Sequence, residues 1–138
     1  MKLEDIVISA ININKDNRKY MPESTFHSLS TVGYVLDFCT IHIDIGRQTG
    51  KTYFIQNYAR SWDLIIVPNE SLKRIYLMST PSDLLVLTPE EVMGYKFETP
   101  PETIYFDEPK LCFKRVPKED LFYKFIKNKN QTVVMLGQ

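Results

Sequence analysis

The chain has 138 residues, of which 43% are hydrophobic and 25% are charged, a composition typical of one compact globular domain. Seventeen Lys and Arg residues balance seventeen Asp and Glu residues. A chain with no net charge lacks the positive field that would make nucleic acid the default partner, so any nucleic-acid contact is expected to be local.

The cysteines and the apolar segments exclude two further classes of protein. Cys39 and Cys112 have no other Cys or His at zinc-ligand spacing, so we expect two reduced thiols and no zinc site. No apolar run approaches the roughly 18–20 residues that span a bilayer. The start, "MKLEDIVISA", lacks the layout of a signal peptide. The sequence therefore predicts a cytoplasmic protein with no membrane partner.

The charges are unevenly distributed along the chain. Residues 79–108 are mainly acidic, whereas residues 110–130 carry seven Lys or Arg residues against two acids. Two solvated faces are the simpler interpretation. The basic segment 110–130 is also the candidate contact for a nucleic acid.

The first 38 residues predict an arm followed by a helix. "IVISAINI" alternates in polarity and precedes the polar "NKDNRKY", which predicts a strand or extended arm over residues 1–20 that ends in a loop. Pro22 and Ser24 are start signals for a helix that runs to about Asp37.

Strand and helix patterns alternate through the rest of the chain. Strands are predicted at "CTIHIDI", "WDLIIVPN", "DLLVL", "TIYFDEP" and "QTVVMLGQ". Helices are predicted at "KTYFIQNYARS", "ESLKRIYLMS", which could also lead into a strand, "PEEVMG" and "KEDLFYKFIKNKN". This alternation predicts a single α/β domain over residues 1–138, with a mainly parallel sheet flanked by helices.

A glycine, a lysine and a threonine lie between the first predicted strand and the helix after it. The phosphate loop has the pattern G-x-x-x-x-G-K-[ST], and Ile45 stands at the place of its first glycine. Backbone N–H groups and a helix N-terminus converge on phosphate at such a junction. We expect Lys51 to reach the β- and γ-phosphates of a nucleotide and Thr52 to bind Mg²⁺.

A second motif follows the strand predicted in "ETIYFDEP". The apolar run leads directly into Asp107 and Glu108. At a strand end these side chains could serve a metal ion and an attacking water, whereas an adjacent acidic pair on a surface is usually only solvated. The phosphate-loop motif upstream favours the functional interpretation.

These two motifs carry a resemblance. "GRQTGKT" resembles the phosphate loop of phage large-terminase ATPases and related helicase-like motors, in which Arg-Gln often precedes x-Gly-Lys-Ser/Thr and the first glycine is often replaced. The Asp-Glu pair looks like a Walker B motif with a catalytic glutamate. The resemblance covers residues 24–138 and implies a minimal RecA-like P-loop NTPase of the additional-strand, catalytic-glutamate class. It implies Mg²⁺ and ATP as ligands and, for a viral protein, the host cytoplasm.

The resemblance also implies a set of site residues. The implied catalytic residues are Lys51, Glu108 and Arg47, and the implied metal ligands are Thr52 and Asp107. The nucleotide is expected to contact Gly46, Arg47, Gln48, Thr49, Gly50, Lys51 and Thr52.

Several further residues have two interpretations each. Arg47 is either an arginine finger supplied in cis or a surface arginine paired with a carboxylate. Thr132 and Gln138 are either a polar sensor on the last strand or part of a core strand and its end. His27 and His42 are expected to be structural. Trp62 is expected in the core rather than as a platform for a base.

Two functions remain open at this point. The first is Mg-dependent binding and hydrolysis of ATP, assisted by a second copy of the chain, a larger motor protein or a nucleic acid. The alternative is a nucleotide-binding interaction or regulatory module with little hydrolysis of its own. Motor activity by this chain alone is disfavoured, because a motor converts closure between two bodies into movement and the sequence predicts one.

Overall fold

A computed structural model describes residues 2–44, 50–79 and 83–138. The strands are β1 (Thr40–Ile43), β2 (Leu64–Ile66), β3 (Leu85–Leu87), β4 (Thr103–Asp107) and β5 (Thr132–Leu136). The helices are α1 (Leu3–Arg18), α2 (Glu23–Ser28), α3 (Thr31–Phe38), α4 (Lys51–Tyr58), α5 (Glu70–Ser79), α6 (Pro89–Gly94), α7 (Pro109–Arg115) and α8 (Lys118–Phe125). The five strands predicted from the sequence are confirmed.

The strands form one parallel sheet in the order β1-β5-β4-β2-β3. β5 comes last along the chain but lies between β1 and β4, where it pairs with both. In this register Asp107 at the end of β4 lies beside Leu136 at the end of β5. The α/β fold with a parallel sheet is therefore as predicted.

Helices cover both faces of the sheet. Successive strand residues point to opposite faces, so Leu64 and Ile66 of β2 pack into one core cluster and Ile65 into the other. The first cluster contains residues of α3, α6, α7 and α8. The second contains residues of α1, α4 and α5. Burial on both faces explains why the strands read as nearly continuous apolar runs.

The prediction of a strand or extended arm over residues 1–20 is wrong, because this segment forms helix α1. A short apolar run fits the period of a strand and that of a helix. Here Leu3, Val7 and Ile11, spaced by four residues, contact the second core cluster, and Val7 is fully buried. Arg18, at the end of α1, donates to Thr132 Oγ1 at 2.9 Å and so joins the helix to β5.

Three local predictions also need correction. The helix expected from Pro22 to Asp37 is divided into α2 and α3, and Ser30 caps α3 by accepting from the Gly33 N–H at 3.0 Å. Helix α7 was not predicted, although Pro109 at its first position favours a helix start. Trp62 is 55% exposed, so its predicted place in the core is wrong.

The structure also bears on the cysteines, the charged segments and membrane insertion. Cys39 and Cys112 are buried free thiols. Arg115 of the basic segment forms an ion pair with Glu90 of the acidic segment. Across the described ranges, none of the helices is both long and apolar enough to cross a membrane.

Candidate functional site

The candidate site lies at the edge of the sheet where the parallel strands end. The chain leaves β1 toward α4 on one face and leaves β4 toward α7 on the other face. In open α/β sheets, ligands bind at the carboxyl ends of strands where neighbouring connections diverge in this way. The ends of β1, β4 and β5 therefore define the place to look for function.

The Gly-Lys-Thr motif forms the start of α4. Gly50 caps the helix with φ 85°, a left-handed conformation that glycine adopts without steric cost. Lys51 is the first helical residue and only 8% exposed. The helix predicted at this motif is confirmed, and the Lys51 and Thr52 side chains of its first turn contact the second motif.

Asp107 brings the two motifs together. It ends β4 at 1% exposure, and its Oδ2 accepts hydrogen bonds from Thr52 Oγ1 at 2.7 Å and from the Tyr76 hydroxyl at 2.8 Å. Burial raises the pKa of the Asp107 carboxyl, while the two hydroxyl donors and the charge of Lys51 act in the opposite direction. The two residues expected to hold a metal ion are thus in direct contact.

Lys51 and Glu108 form a second link between the motifs. The Lys51 Nζ lies 2.6 Å from Glu108 Oε1, with 9% and 27% of the two side chains exposed. A cation that is largely removed from water needs an anionic partner, and Glu108 supplies one. The predicted phosphate-binding lysine and the predicted catalytic glutamate therefore hold each other at the sheet edge.

Glu108 has an unusual backbone conformation. Its φ of 59° is the one positive value found at a non-glycine residue within the described ranges. Such a conformation costs on the order of 1–2 kcal/mol for a residue with a Cβ atom. The Glu108 N–H donates to the Leu136 carbonyl at 3.0 Å, which ties the strained residue to the end of β5.

Gly137, directly after β5, packs against the Glu108 carboxylate. Its N–H donates to the Ile43 carbonyl at 2.9 Å, and its own carbonyl lies 2.7 Å from His42 Nε2. A Cβ atom on Gly137 would lie 2.9 Å from Glu108 Oε1. The end of β1 thus holds the backbone of Gly137, which in turn lies against the Glu108 carboxylate.

The other predicted site residues have different outcomes. Gly46, Arg47, Gln48 and Thr49 lie outside the described residues, as does Ile45. Thr132 starts β5, at the opposite end from the site, and its hydroxyl accepts from Arg18. Thr132 is therefore a core strand residue, and its interpretation as a sensor is wrong.

Sequence reasoning missed Tyr76 and assigned no role to Gly137. Tyr76 is fully buried on α5. A buried tyrosine hydroxyl usually finds a polar partner, but the sequence does not reveal which one. Gly137 belongs to neither of the two motifs, so the sequence provides no signal for it.

The lysines of the basic segment lie in different surroundings. Lys110, Lys114 and Lys118 line a cleft of about 490 Å³ beside the site, together with His42 and the exposed Gln138. Lys129, in contrast, donates to backbone carbonyls of residues 26 and 29 and lies 4.6 Å from the centre of the Phe26 ring. A nucleic-acid contact in this segment would therefore be centred on the cleft.

The oxygen atoms of Asp107 and Thr52 suit a hard cation that takes its other ligands from phosphate and water. Within the described residues, no group of three or more His, Cys, Asp or Glu side chains is placed to enclose a metal ion. Mg²⁺ at phosphate sites usually takes one or two carboxylates and completes its shell with phosphate and water. The Asp107 carboxylate and the Thr52 hydroxyl supply oxygen donors of this kind.

Comparison with protein-family models, with curated proteins and with solved structures gives no match to this chain. The functional assignment therefore depends on the residues at this sheet edge.

Proposed function

We propose that this chain is a small P-loop ATPase with a RecA-like core, which binds Mg·ATP at the carboxyl edge of its sheet and hydrolyses it. The observation that carries the proposal is the contact between Thr52 Oγ1 and Asp107 Oδ2 at 2.7 Å. It joins two motifs that are far apart in sequence and were each identified independently.

The sheet order supports the proposal. In the additional-strand class, one strand separates the strand before the phosphate loop from the strand with the acidic pair. β5 occupies that place between β1 and β4. We also propose that the chain is related to phage large terminases and helicase-like motors. We propose a cytoplasmic location for it as well.

Each residue of the cluster has a distinct part in the proposed reaction. Lys51 and the N-terminal N–H groups of α4 would bind the phosphate oxygens, because a helix N-terminus favours anions. Thr52 and Asp107 would hold Mg²⁺, which when bound would neutralise charge on the transferred phosphoryl group. Glu108 would accept a proton from the attacking water.

The ion pair between Lys51 and Glu108 would make nucleotide binding precede the release of the catalytic base. The phosphate and Glu108 compete for the same ammonium group, 2.6 Å from the carboxylate. When Lys51 turns toward phosphate, the carboxylate becomes free to contact water. Binding of the nucleotide and release of the catalytic base would therefore be coupled.

The same ion pair favours the second candidate function, a nucleotide-binding regulatory module with little hydrolysis. A carboxylate that stays on Lys51 cannot act as a base. Under this alternative ATP binds but turnover remains slow until a partner separates the pair. Candidate partners are a second copy of the chain, a larger motor protein, or a nucleic acid at the basic segment 110–130.

Calorimetry with two lysine variants tests nucleotide binding. Lys51→Ala should abolish most of the affinity for ATP and leave the fold intact. Lys73→Ala is the matched control, because Lys73 also forms an ion pair, with Glu91 at 2.8 Å, but on α5 and α6. Equal ATP affinity in the wild type and in Lys51→Ala would contradict the proposal.

Turnover by two glutamate variants distinguishes the two functions. Glu108→Gln should retain ATP binding and lower kcat by roughly 10²–10⁴-fold, the effect of losing a general base. Glu91→Gln should leave kcat unchanged. If the wild type binds ATP but is as slow as Glu108→Gln, the regulatory module is the better description.

A further inference from the structure

Gly137 occupies a position where an added side chain would meet the Glu108 carboxylate. A Cβ atom built on Gly137 would lie 2.9 Å from Glu108 Oε1, 3.0 Å from Oε2 and 3.0 Å from the carboxylate carbon. Contacts this short force an atom to move. The φ of 106° at Gly137 also disfavours any residue with a side chain.

The backbone of Gly137 is held in place by its neighbours. Its N–H donates to the Ile43 carbonyl, and its carbonyl contacts His42 Nε2, so both polar groups are engaged by β1. The adjacent Leu136 carbonyl accepts from the Glu108 N–H at 3.0 Å. The flexible end of the Glu108 side chain is therefore the part that would yield to an added methyl group.

We propose that Gly137 is a positioning residue for Glu108, because its lack of a side chain leaves the space that holds the carboxylate against Lys51. The catalytic consequence depends on the proposed ATPase function, whereas the positional consequence does not. Gly137, directly after β5, thereby fixes the position of a side chain that directly follows β4.

The consequence for activity follows from the size of the displacement. An added methyl group would push the Glu108 carboxylate away from its place 2.6 Å from Lys51 Nζ, which is also the place from which it would contact the attacking water once Lys51 has turned toward phosphate. A misplacement of about 1 Å in a catalytic group can cost about 10²-fold in rate. The affinity for ATP should change much less, because Gly137 does not belong to α4.

The primary experiment compares Gly137→Ala with Gly94→Ala. Gly94 is the matched control, since a Cβ atom there meets nothing within 4 Å and its φ is not positive. Crystal structures should show the Glu108 carboxylate displaced from Lys51 in Gly137→Ala and unmoved in Gly94→Ala. If the carboxylate stays in place while the backbone at 137 shifts, the proposal is overturned.

A double-mutant cycle separates positioning from general damage. Gly137→Ala should lower kcat by about 10²-fold in the wild-type background, with KM little changed. In the Glu108→Gln background it should have no further effect on kcat, because the group it displaces has already lost its function. Full additivity of the two effects would mean that Gly137 acts by another route.

A third variant covers failure of Gly137→Ala to fold. Glu108→Ala combined with Gly137→Ala removes the carboxylate that the new methyl group would meet. If the double variant folds and the single one does not, the contact with Glu108 is the cause and the proposal stands. If both fail to fold, the backbone conformation alone requires glycine and the proposal is wrong.

The outcomes also separate this proposal from the ATPase function. A wild type that neither binds nor hydrolyses ATP would refute the ATPase function. The position of the Glu108 carboxylate in the two glycine variants would still decide whether Gly137 positions it.

Discussion

One oxygen of the Asp107 carboxylate accepts hydrogen bonds from hydroxyl groups on two different helices. Thr52 belongs to α4 and Tyr76 to α5, and both donate to Oδ2. Burial is the largest influence on this carboxyl and raises its pKa, whereas both hydroxyl donors lower it. Tyr76 therefore helps to keep Asp107 anionic and fixes the direction of its oxygens, as outer residues do at metal sites.

We predict that Tyr76→Phe lowers the affinity of the site for Mg²⁺ more than its affinity for the nucleotide. Loss of an outer-shell hydrogen bond typically costs 10–100-fold in metal affinity or activity, so the Mg²⁺ concentration for half-maximal ATPase activity should rise about 10-fold. The measurement is a Mg²⁺ titration of turnover at saturating ATP.

Tyr58→Phe is the control for the loss of a tyrosine hydroxyl. The Tyr58 hydroxyl donates to Glu4 Oε2 at 3.2 Å, between α4 and α1 and away from Asp107. This variant should leave the Mg²⁺ dependence unchanged. An unaltered Mg²⁺ titration in Tyr76→Phe would show that its hydroxyl does not position the carboxylate.

At the residue level, the sequence identified side chains whose chemistry is explicit and missed those that act by position. Lys51 is identified by the Gly-Lys-Thr pattern between a predicted strand and a predicted helix, and Asp107 by the acidic pair that follows an apolar strand. Tyr76 acts through one hydroxyl from a helix of ordinary composition. Gly137 acts by leaving space, which only coordinates reveal.

Helix α1 is part of the domain core in the described structure. Val7 is fully buried and belongs to the cluster that includes Phe54 and Ile55 of α4. Asn14 donates from its side chain to the Phe38 carbonyl at 2.9 Å, which ties α1 to the segment before β1. The helix thus supports the strand and the helix on either side of residues 45–49.

We predict that Val7→Ala lowers the free energy of unfolding by about 1–3 kcal/mol, because it removes buried methyl groups and leaves a cavity. Ile13→Ala on the same helix is the control, since Ile13 is 60% exposed, and it should change stability by less than about 0.5 kcal/mol. Urea denaturation of both variants provides the measurement. Equal effects would indicate that α1 does not pack as described.

The errors in the predicted elements occur where a sequence signal fits both a strand and a helix. "IVISAINI" fits both periods, and the choice of a helix is made by the surface that Val7 meets, which the sequence does not display. The pattern "TIYFDEP" predicts a strand that ends at Pro109, although proline also suits the first turn of a helix. The central strands were predicted well because burial on both faces makes them uniformly apolar.

The described part of the site depends on contacts that come from distant parts of the chain, and some of its residues are accessible to water. Lys51 and Glu108 are partly shielded, at 9% and 27% exposure, but Gly50 is exposed. Charge stabilisation in phosphoryl transfer is most effective when water is excluded. A second body that covers this edge should therefore increase turnover.

We predict that specific ATPase activity rises with protein concentration, or on addition of single- or double-stranded DNA or RNA. Stimulation by nucleic acid should weaken as salt is raised, because phosphate contacts act largely through counterion release. Lys114→Ala in the cleft should reduce that stimulation, whereas Lys19→Ala, an exposed lysine on another part of the surface, should not. A fast rate that is independent of concentration and of every nucleic acid would refute this account.

The central place of β5 also determines when the protein can fold. Within the described residues, β1 pairs with β5, so residues 40–43 must wait for residues 133–136 before their hydrogen bonds can form. Closing so long a loop is entropically costly and slow, as in other folds dominated by distant contacts. On the ribosome, the nascent chain would expose the unpaired edge of β1 until β5 emerged, and chaperone binding would be most valuable in that interval. The end of β5 also brings Gly137 to Glu108, so a chain in which β5 has not yet paired would lack this contact.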